Sequence, residues 1–193
     1  MGRALRDVPQ PRRAPPLSDA PAAVTPRRRL LIAGAIVVAV VLLDVLTKTW
    51  ALRALADGPI WLVGHAIGFV LSFNSGSAFS IVRSGAPLLA VIAVIAAVVL
   101  VRTVLRTDDA WLVVGLSLVL GGAMGNLVDR LFRAPSFLHG AVIDFVKLGP
   151  WPLFNVADAA ISIGAIIIIV RVLLDGRRHE AAAAATDGGG EPG

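Results

Sequence analysis

The stretch LLIAGAIVVAVVLLDVLTKTWA (30–51) is long and apolar enough to cross a lipid bilayer. A transmembrane helix needs about 20 mostly apolar residues. Three further stretches of this kind follow along the chain, at 86–105, 110–129 and 156–174. The sequence therefore predicts an all-α membrane protein with four transmembrane helices.

The amino-acid composition agrees with a membrane protein. Of the 193 residues, 56% are hydrophobic, whereas a soluble domain is about 45–50% apolar. Cysteine is absent, which excludes disulfides, thiolate nucleophiles and cysteine metal sites. The histidines His65, His139 and His179 are scattered and match no metal-binding motif. We therefore interpret them as loop residues and expect no metal site.

Polar tails flank the four spans. Residues 1–29 contain six prolines and several arginines, and residues 176–193 are rich in alanine and glycine. Both are expected to be disordered cytoplasmic tails around one membrane domain at 30–175. A cleaved signal peptide is an alternative for the first span, but a signal peptide precedes a soluble domain, and here three more spans follow.

Arginines predict the orientation of the spans. They precede the first span, separate the second from the third, and end the fourth: Arg27, Arg28, Arg29, Arg102, Arg106, Arg171, Arg177 and Arg178. By the positive-inside rule both termini are cytoplasmic, and the loops at 52–85 and 130–155 face outward. Because these arginines flank hydrophobic stretches instead of forming a basic face with aromatic residues, we expect no nucleic-acid partner.

The outer segment IWLVGHAIGFVLSF (60–73) is apolar and partly alternating, and glycines interrupt it. It is too broken for a spanning helix, so it predicts short strands in a small extracytoplasmic β-sheet at the headgroups. An ordinary loop is the alternative.

Costly polar residues gather near the outward ends of the spans and in the outer loops. They are Asp44, Lys48, Asn74, Asn126, Asp129, Arg130, Asp144, Asn155 and Asp158. A charged side chain at mid-membrane raises the free energy of insertion by about 2.5–3.5 kcal/mol, so such residues are expected to have a structural or functional role. The topology places all of them at one depth, close to the outer interface, and we interpret them as one site.

Helical spacing indicates which of these residues share a face. Asp44 and Lys48 stand four apart, and Asp129 and Arg130 follow Asn126 at i+3 and i+4. We favour structural ion pairs, Asp44 with Lys48 and Asp129 with Arg130, over direct chemistry for these four charges. In the third span Gly121 and Gly125 form a small-xxx-small step, which predicts close approach of another helix.

Asp144 and Asp158 differ, because neither has a basic neighbour in sequence. Asp144 lies in the apolar run AVIDFV, where a lone carboxylate is costly. Helix capping with Asn155 is the alternative for Asp158, but it leaves Asp144 unexplained.

The charge of the region predicts a shared proton. Four aspartates and two bases give a formal charge of −2, and two close carboxylates cannot both ionise easily. We expect the helix dipole to keep Asp158 ionised and apolar burial to keep Asp144 protonated. Such a pair suits peptide hydrolysis, with one carboxylate activating water and the other polarising the carbonyl.

Three other classes of function remain open at this point. Intramembrane charges also fit a proton-coupled transporter, although no inverted repeat is visible. A serine–lysine protease would use Lys48 with Ser72, Ser75 or Ser77, but the adjacent Asp44 should keep Lys48 protonated. A purely structural membrane partner would leave the two aspartates unexplained.

Five motifs, in order, resemble those of bacterial lipoprotein signal peptidase, also called signal peptidase II or prolipoprotein signal peptidase. They are DVLTKTWA (44–51), NSGSAF (74–79), GGAMGNLVDR (121–130), VIDF (142–145) and FNVADAAISIG (154–164). The resemblance covers about 30–175 and implies an aspartic endopeptidase of the bacterial cell membrane, with its active site at the extracytoplasmic face. This family removes signal peptides from lipid-modified prolipoproteins, cutting before the diacylglyceryl-modified lipobox cysteine.

The resemblance also implies roles for individual residues. Asp144 and Asp158 would be the catalytic pair. Asn74, Asn126, Arg130 and Asn155 would line the substrate site, and Asp44, Lys48, Gly76 and Asp129 would support it. The family needs no metal or organic cofactor, and we expect a monomer whose partners are its substrates and the lipid bilayer.

Overall fold

Four long helices and a small sheet make up the protein, whose computed structural model describes residues 25–76, 85–134 and 136–187. In chain order the elements are α1 (Pro26–Ala54), β1 (Ile60–Val63), β2 (Ile67–Asn74), α2 (Gly85–Arg106), α3 (Ala110–Phe132), β3 (Val142–Leu148) and α4 (Val156–Asp187). Within the described ranges, four helices are long and apolar enough to cross a membrane. The predicted four-span fold with a small sheet is confirmed.

Helix α3 is the central element of the bundle. Half of its most apolar stretch, 50%, is buried inside the protein, against 11% to 17% for the other three helices. The outer faces of α1, α2 and α4 consist of exposed leucine, isoleucine and valine side chains, as expected for lipid-facing surfaces. Because α3 contacts every other helix, it fixes where their polar residues meet.

Glycines allow the helices to approach α3 closely. A Cβ atom on Gly121 would lie 2.8 Å from Val40, and one on Gly125 would lie 2.8 Å from the Asp44 carboxylate. The predicted small-xxx-small step is thus confirmed, and its partner is α1. On the α4 side, a Cβ atom on Gly122 would lie 2.3 Å from the carbonyl oxygen of Ala157.

The sheet stands at the end of the bundle where α1 finishes. Its strands are antiparallel in the order β1-β2-β3, and the register pairs Ser72 with Asp144. Trp50 of α1 anchors it through edge-on ring contacts with Phe69 at 5.2 Å and Phe145 at 6.2 Å. The strands at 60–63 and 67–74 confirm the sheet interpretation of the outer segment over an ordinary loop.

Both terminal helices extend further than the spans predicted from hydropathy. Helix α1 begins at Pro26, because proline at the first helical position presets the helical φ. Helix α4 continues to Asp187, so residues 176–187, which we expected to be disordered, are helical. Its final turns contain the alanine run 181–185, and alanine has the highest helix propensity. The rest of the two predicted tails, 1–24 and 188–193, lies outside the described residues.

Candidate active site

Asp144 lies in the middle of β3 and is almost fully buried, with 5% of its surface exposed. Its two carboxylate oxygens accept hydrogen bonds from two side-chain amides: Oδ1 from Asn155 Nδ2 at 2.7 Å, and Oδ2 from Asn74 Nδ2 at 3.2 Å. A carboxylate inside an apolar strand is therefore held in one orientation by donors from β2 and from the start of α4.

Asp158 lies in the first turn of α4, and both oxygens of its carboxylate also accept hydrogen bonds. Its Oδ1 accepts from Asn126 Nδ2 of α3 at 2.8 Å, and its Oδ2 accepts from the backbone N–H of Asn155 at 3.2 Å. In return, the Asp158 backbone N–H donates to Asn155 Oδ1 at 2.9 Å. This reciprocal pattern is a capping box. The predicted helix cap is present, and it coexists with the contact to Asn126.

Two asparagines join the two carboxylates. Asn155 Nδ2, which donates to Asp144, also lies 3.2 Å from Asn126 Oδ1. Asn126 in turn donates to Asp158. The chain of contacts therefore runs from one aspartate to the other through side-chain amides of α3 and α4. Asn155 is completely buried, so the Asp144 end of this bridge is shielded from solvent, while Asn126 and Asp158 are partly exposed.

The pKa of Asp144 is raised from 3.8 to about 6. Burial is the main cause, and the negative charge of Asp158 adds to it. The hydrogen bonds from Asn74 and Asn155, and the charge of Lys48, act in the opposite direction. Asp144 and Asp158 are thus close enough for the ionisation of one to resist the ionisation of the other.

Lys48 is the hub of a second, fully buried network. Its ammonium Nζ lies 2.6 Å from Asp44 Oδ2, 2.7 Å from Asp129 Oδ2 and 3.0 Å from Asn126 Oδ1. An ammonium has three N–H donors, and these three acceptors engage all of them. The predicted Asp44–Lys48 ion pair is confirmed. Lys48 therefore has no lone pair to offer, which contradicts its suggested role as the base of a serine–lysine protease.

The carboxylates around Lys48 also hold the backbone on either side of the site. Asp44 Oδ1 accepts from the backbone N–H of Ala157 in α4 at 2.9 Å. Asp129 Oδ2 accepts from the backbone N–H of Ile143 in β3 at 3.3 Å. Ile143 precedes Asp144 and Ala157 precedes Asp158, so this network fixes the two segments that carry the aspartates.

The predicted ion pair between Asp129 and Arg130 is wrong. Asp129 pairs with Lys48 and with Arg133, one helical turn further along α3. Neighbouring residues on a helix point about 100° apart and cannot face each other, whereas i and i+4 can. Arg133 also changes the charge of the region. With it, four aspartates face three bases, so the formal charge is −1 and not the predicted −2.

Arg130 and Gly76 contact the asparagines that hold the two aspartates. Arg130 Nη1 donates to the backbone carbonyl of Asn126 at 3.3 Å, and its charge acts on both Asp144 and Asp158. Its buried Nε has no hydrogen-bond partner among the described residues. Gly76 has a φ of +77° and donates its N–H to Asn74 Oδ1 at 3.0 Å, a left-handed turn that orients the Asn74 amide.

An apolar groove of about 520 Å³ opens beside Asp158. It is lined by Leu148, Trp151, Pro152, Leu153, Phe154, Asp158, Ala159, Ser162 and Ile163. Trp151 and Ile163 are largely exposed, so the groove faces the surroundings of the bundle. Across 25–76, 85–134 and 136–187, no group of three or more His, Cys, Asp or Glu side chains is placed to hold a metal ion.

Comparison with known proteins identifies the family of this arrangement. The family model described as signal peptidase (SPase) II matches residues 36–174, which include the sheet and every residue of the site on α1, α3 and α4. The chain belongs to the signal peptidase II family. The predicted family is thereby confirmed, and the chain is a multi-pass membrane peptidase.

Curated relatives and solved structures agree with membership of the signal peptidase II family. A lipoprotein signal peptidase of Rhodococcus jostii is 44% identical over 161 residues, covering 81% of this chain and 79% of the relative. One of Mycobacterium tuberculosis is 40% identical over 166 residues, covering 82% of each chain. A solved structure described as a bacterial membrane enzyme matches with a TM-score of 0.64 at 29% identity, over 73% of this chain and 92% of that one.

The signal peptidase II site contains two residues that sequence reasoning missed. Arg133 neutralises Asp129, and its spacing of four from Asp129 was a visible signal. Gly122 lets α4 approach α3 beside the site, but in the sequence it is one of several glycines in α3. Ser77, one of the serines weighed as a nucleophile, lies outside the described residues.

Proposed function

We propose that this chain removes signal peptides from prolipoproteins as an aspartic endopeptidase, with Asp144 and Asp158 as its catalytic residues. It cuts before the diacylglyceryl-modified cysteine of the lipobox. One observation carries the proposal: two carboxylates from separate elements, β3 and α4, are joined through Asn126 and Asn155 and act on each other electrostatically.

The local charge supports one shared proton. Asp44 and Asp129 are balanced by Lys48 and Arg133. The remaining charges are the two catalytic carboxylates and Arg130, which leaves a formal charge of −1 that a single proton neutralises. Burial and the raised pKa support Asp144 as the residue that holds this proton. In this scheme Asp158 is the ionised partner, since N–H donors engage both of its oxygens and it lies in the first turn of α4, where the helix dipole favours negative charge.

This protonation state suits peptide hydrolysis. Asp158 takes a proton from a water molecule, whose oxygen forms a bond to the scissile carbonyl carbon. Protonated Asp144 donates its proton to the carbonyl oxygen as negative charge develops there. The tetrahedral intermediate then collapses: its hydroxyl returns a proton to Asp144, the C–N bond breaks, and Asp158 passes its proton to the leaving amine.

The surrounding polar residues would bind the substrate backbone. Arg130 Nε is a buried donor without an acceptor among the described residues, and a peptide carbonyl would satisfy it. Asn74, Asn126 and Asn155 present amides beside the carboxylates. The supporting residues are Asp44, Lys48, Gly76 and Asp129. The apolar groove beside Asp158 gives a membrane-embedded substrate a route to the site from the bilayer.

We place the site at the extracytoplasmic face of the bacterial cell membrane, with both termini in the cytoplasm and the chain acting as a monomer. The exposed arginines at the opposite end of the bundle support this orientation by the positive-inside rule. A lipid-modified precursor would then present its cleavage site at the depth of Asp144 and Asp158.

The test is a gel-shift assay with purified enzyme and a lipidated precursor. Asp144→Asn and Asp158→Asn should each slow cleavage by at least about 100-fold, because general acid–base catalysis contributes about 10²–10⁴. Asp57→Asn, the same change at an exposed loop aspartate, is the matched control and should cleave normally. Wild-type rates in either site variant would refute the proposal. If the site variants cleaved normally but lost an ion flux that wild type supports in proteoliposomes, the protein would instead be a transporter.

A further inference from the structure

A second groove lies between α1 and α2, at the end of the bundle opposite the two aspartates. It measures about 270 Å³ and is lined by Leu30, Ala33, Gly34, Val37, Val38, Val101, Val104, Leu105 and Leu120. Its floor is buried, because Ala33 and Val104 belong to an apolar cluster with Val113 and Leu116. Gly34 keeps it open, since a Cβ atom there would meet nothing within 4 Å.

Three exposed arginines lie on the two groove helices, at the same end of the bundle as the groove. Arg27 precedes Leu30 by three residues and Gly34 by seven, so it lies on the groove face of α1. On α2, Arg102 and Arg106 directly follow the lining residues Val101 and Leu105. Arg27, Arg102 and Arg106 are all exposed. The helix ends beside the apolar groove therefore carry three exposed positive charges.

The acidic residues of the α2–α3 turn, and Asp175 of α4, already have partners. Buried Arg29 donates to the carbonyl oxygen of Thr107 and lies 3.1 Å from Asp108, which fixes the start of α1 against the α2–α3 turn. Asp109 and Asp175 both pair with Arg171 of α4. The turn thus holds the two groove helices in place while the charges of Arg27 and Arg106 stay available to an anion.

We propose that this groove binds one anionic phospholipid of the inner leaflet. One acyl chain lies in the groove, and the lipid phosphate lies among Arg27, Arg102 and Arg106. Basic residues at the cytoplasmic surface attract anionic headgroups, and guanidinium groups suit phosphate geometry. A groove of this size receives a hydrocarbon chain and excludes a helix, which is about 10 Å across.

The proposal is tested by native mass spectrometry of the full chain released from detergent containing phosphatidylglycerol or phosphatidylcholine. Wild type should retain one phosphatidylglycerol and markedly less phosphatidylcholine. Arg27→Gln/Arg106→Gln should weaken phosphatidylglycerol binding by about 30-fold, which corresponds to about 1 kcal/mol per arginine. Gly34→Leu should abolish retention, because its side chain fills the groove.

Matched controls separate lipid binding from folding. Gly176→Leu, at another helical glycine with open space around it, makes the same change outside the groove and should retain the lipid. Arg177→Gln/Arg178→Gln removes two exposed arginines of α4 at the same end of the bundle, and this variant should also retain the lipid. The proposal would be overturned if wild type and Gly34→Leu retained the lipid equally, or if wild type retained both lipids equally. A mass of two protein copies without lipid would also overturn it, because a second copy would then be the occupant of the groove.

Discussion

Asn155 and Asp158 cap each other: the Asp158 N–H donates to Asn155 Oδ1 at 2.9 Å, and the Asn155 N–H donates to Asp158 Oδ2 at 3.2 Å. The same Asn155 side chain donates to Asp144 at 2.7 Å. One residue therefore starts α4, orients one carboxylate and contacts the other. Capping and catalysis are competing explanations of Asp158 in the sequence, but in the folded protein the cap uses only Oδ2, while Oδ1 faces Asn126.

This double use predicts that the two roles of Asn155 can be separated. Serine caps a helix about as well as asparagine, but it is too short to reach Asp144. Asn155→Ser should therefore keep the helix cap, lose only the stability contributed by the buried amide hydrogen bonds, about 1–3 kcal/mol, and slow cleavage by about 100-fold, since misplacement by about 1 Å can cost that much. Asn155→Ala should lose the same activity and about 1 kcal/mol of stability in addition. Normal cleavage by Asn155→Ser, measured on the lipidated precursor, would contradict the bridging role.

Asp144 predicts a pH-dependent stability. Its pKa is about 6 in the folded protein, against 3.8 for an ordinary aspartate. Between these values the folded state binds more protons than the unfolded state, so this group's contribution to stability falls as the pH rises through the window. Above pH 6 the folded protein bears the full cost of ionising buried Asp144, up to about 3 kcal/mol.

Asp144→Asn removes this cost, because the amide is neutral at every pH. The variant should therefore unfold at a higher temperature than wild type at pH 8, and at nearly the same temperature at pH 4. Thermal unfolding in detergent at the two pH values measures the difference. A shift in Tm of equal size at both would show that Asp144 does not titrate in this range.

Because Lys48 is buried between two carboxylates, its removal should greatly lower the free energy of unfolding. Lys48→Met leaves Asp44 and Asp129 without their shared cation and should cost about 3–5 kcal/mol. Lys147→Met, at the other lysine of the chain, is the control and should be nearly neutral. Adding Asp44→Asn and Asp129→Asn to Lys48→Met should recover most of the loss. If the triple variant is no more stable than the single one, unpaired charge is not the cause.

Close packing of α3 against α4 predicts sensitivity at Gly122. A methyl group there would meet the Ala157 carbonyl oxygen at 2.3 Å, so Gly122→Ala must push α4 away next to Asp158. We expect a loss of about 1–3 kcal/mol together with slower cleavage. Gly176→Ala, where a methyl group meets nothing within 4 Å, should be neutral or slightly stabilising. Unchanged activity in Gly122→Ala would show that α4 can shift without disturbing the site.

Hydropathy alone predicts the four spans, because about 20 apolar residues in a row have few stable alternatives to a membrane helix. It also predicts that Asp144 and Asp158 approach one another, since the topology places both at one depth. The tail helix at 176–187 was missed although its alanine run carried a signal, because that signal competes with glycines on either side.

Partner choice could not be predicted in the same way. Asp129 has Arg130 beside it in sequence, yet Lys48 of α1 reaches it across the bundle. That pairing depends on how deeply α1 and α3 interdigitate, which the glycines of α3 permit but do not specify. Likewise, the bridging by Asn126 and Asn155 depends on the rotation of α4 relative to α3, and no local pattern encodes that angle.

Infrared titration of the carboxyl groups shows whether Asp144 and Asp158 share a single proton. Wild type should show a protonated carboxyl band that disappears with a midpoint near pH 6. The band should be absent from Asp144→Asn and should titrate at lower pH in Asp158→Asn, because the neighbouring negative charge is gone. A band that survives in Asp144→Asn and vanishes in Asp158→Asn would reverse the assignment, and no band near this pH in wild type would contradict the shared proton.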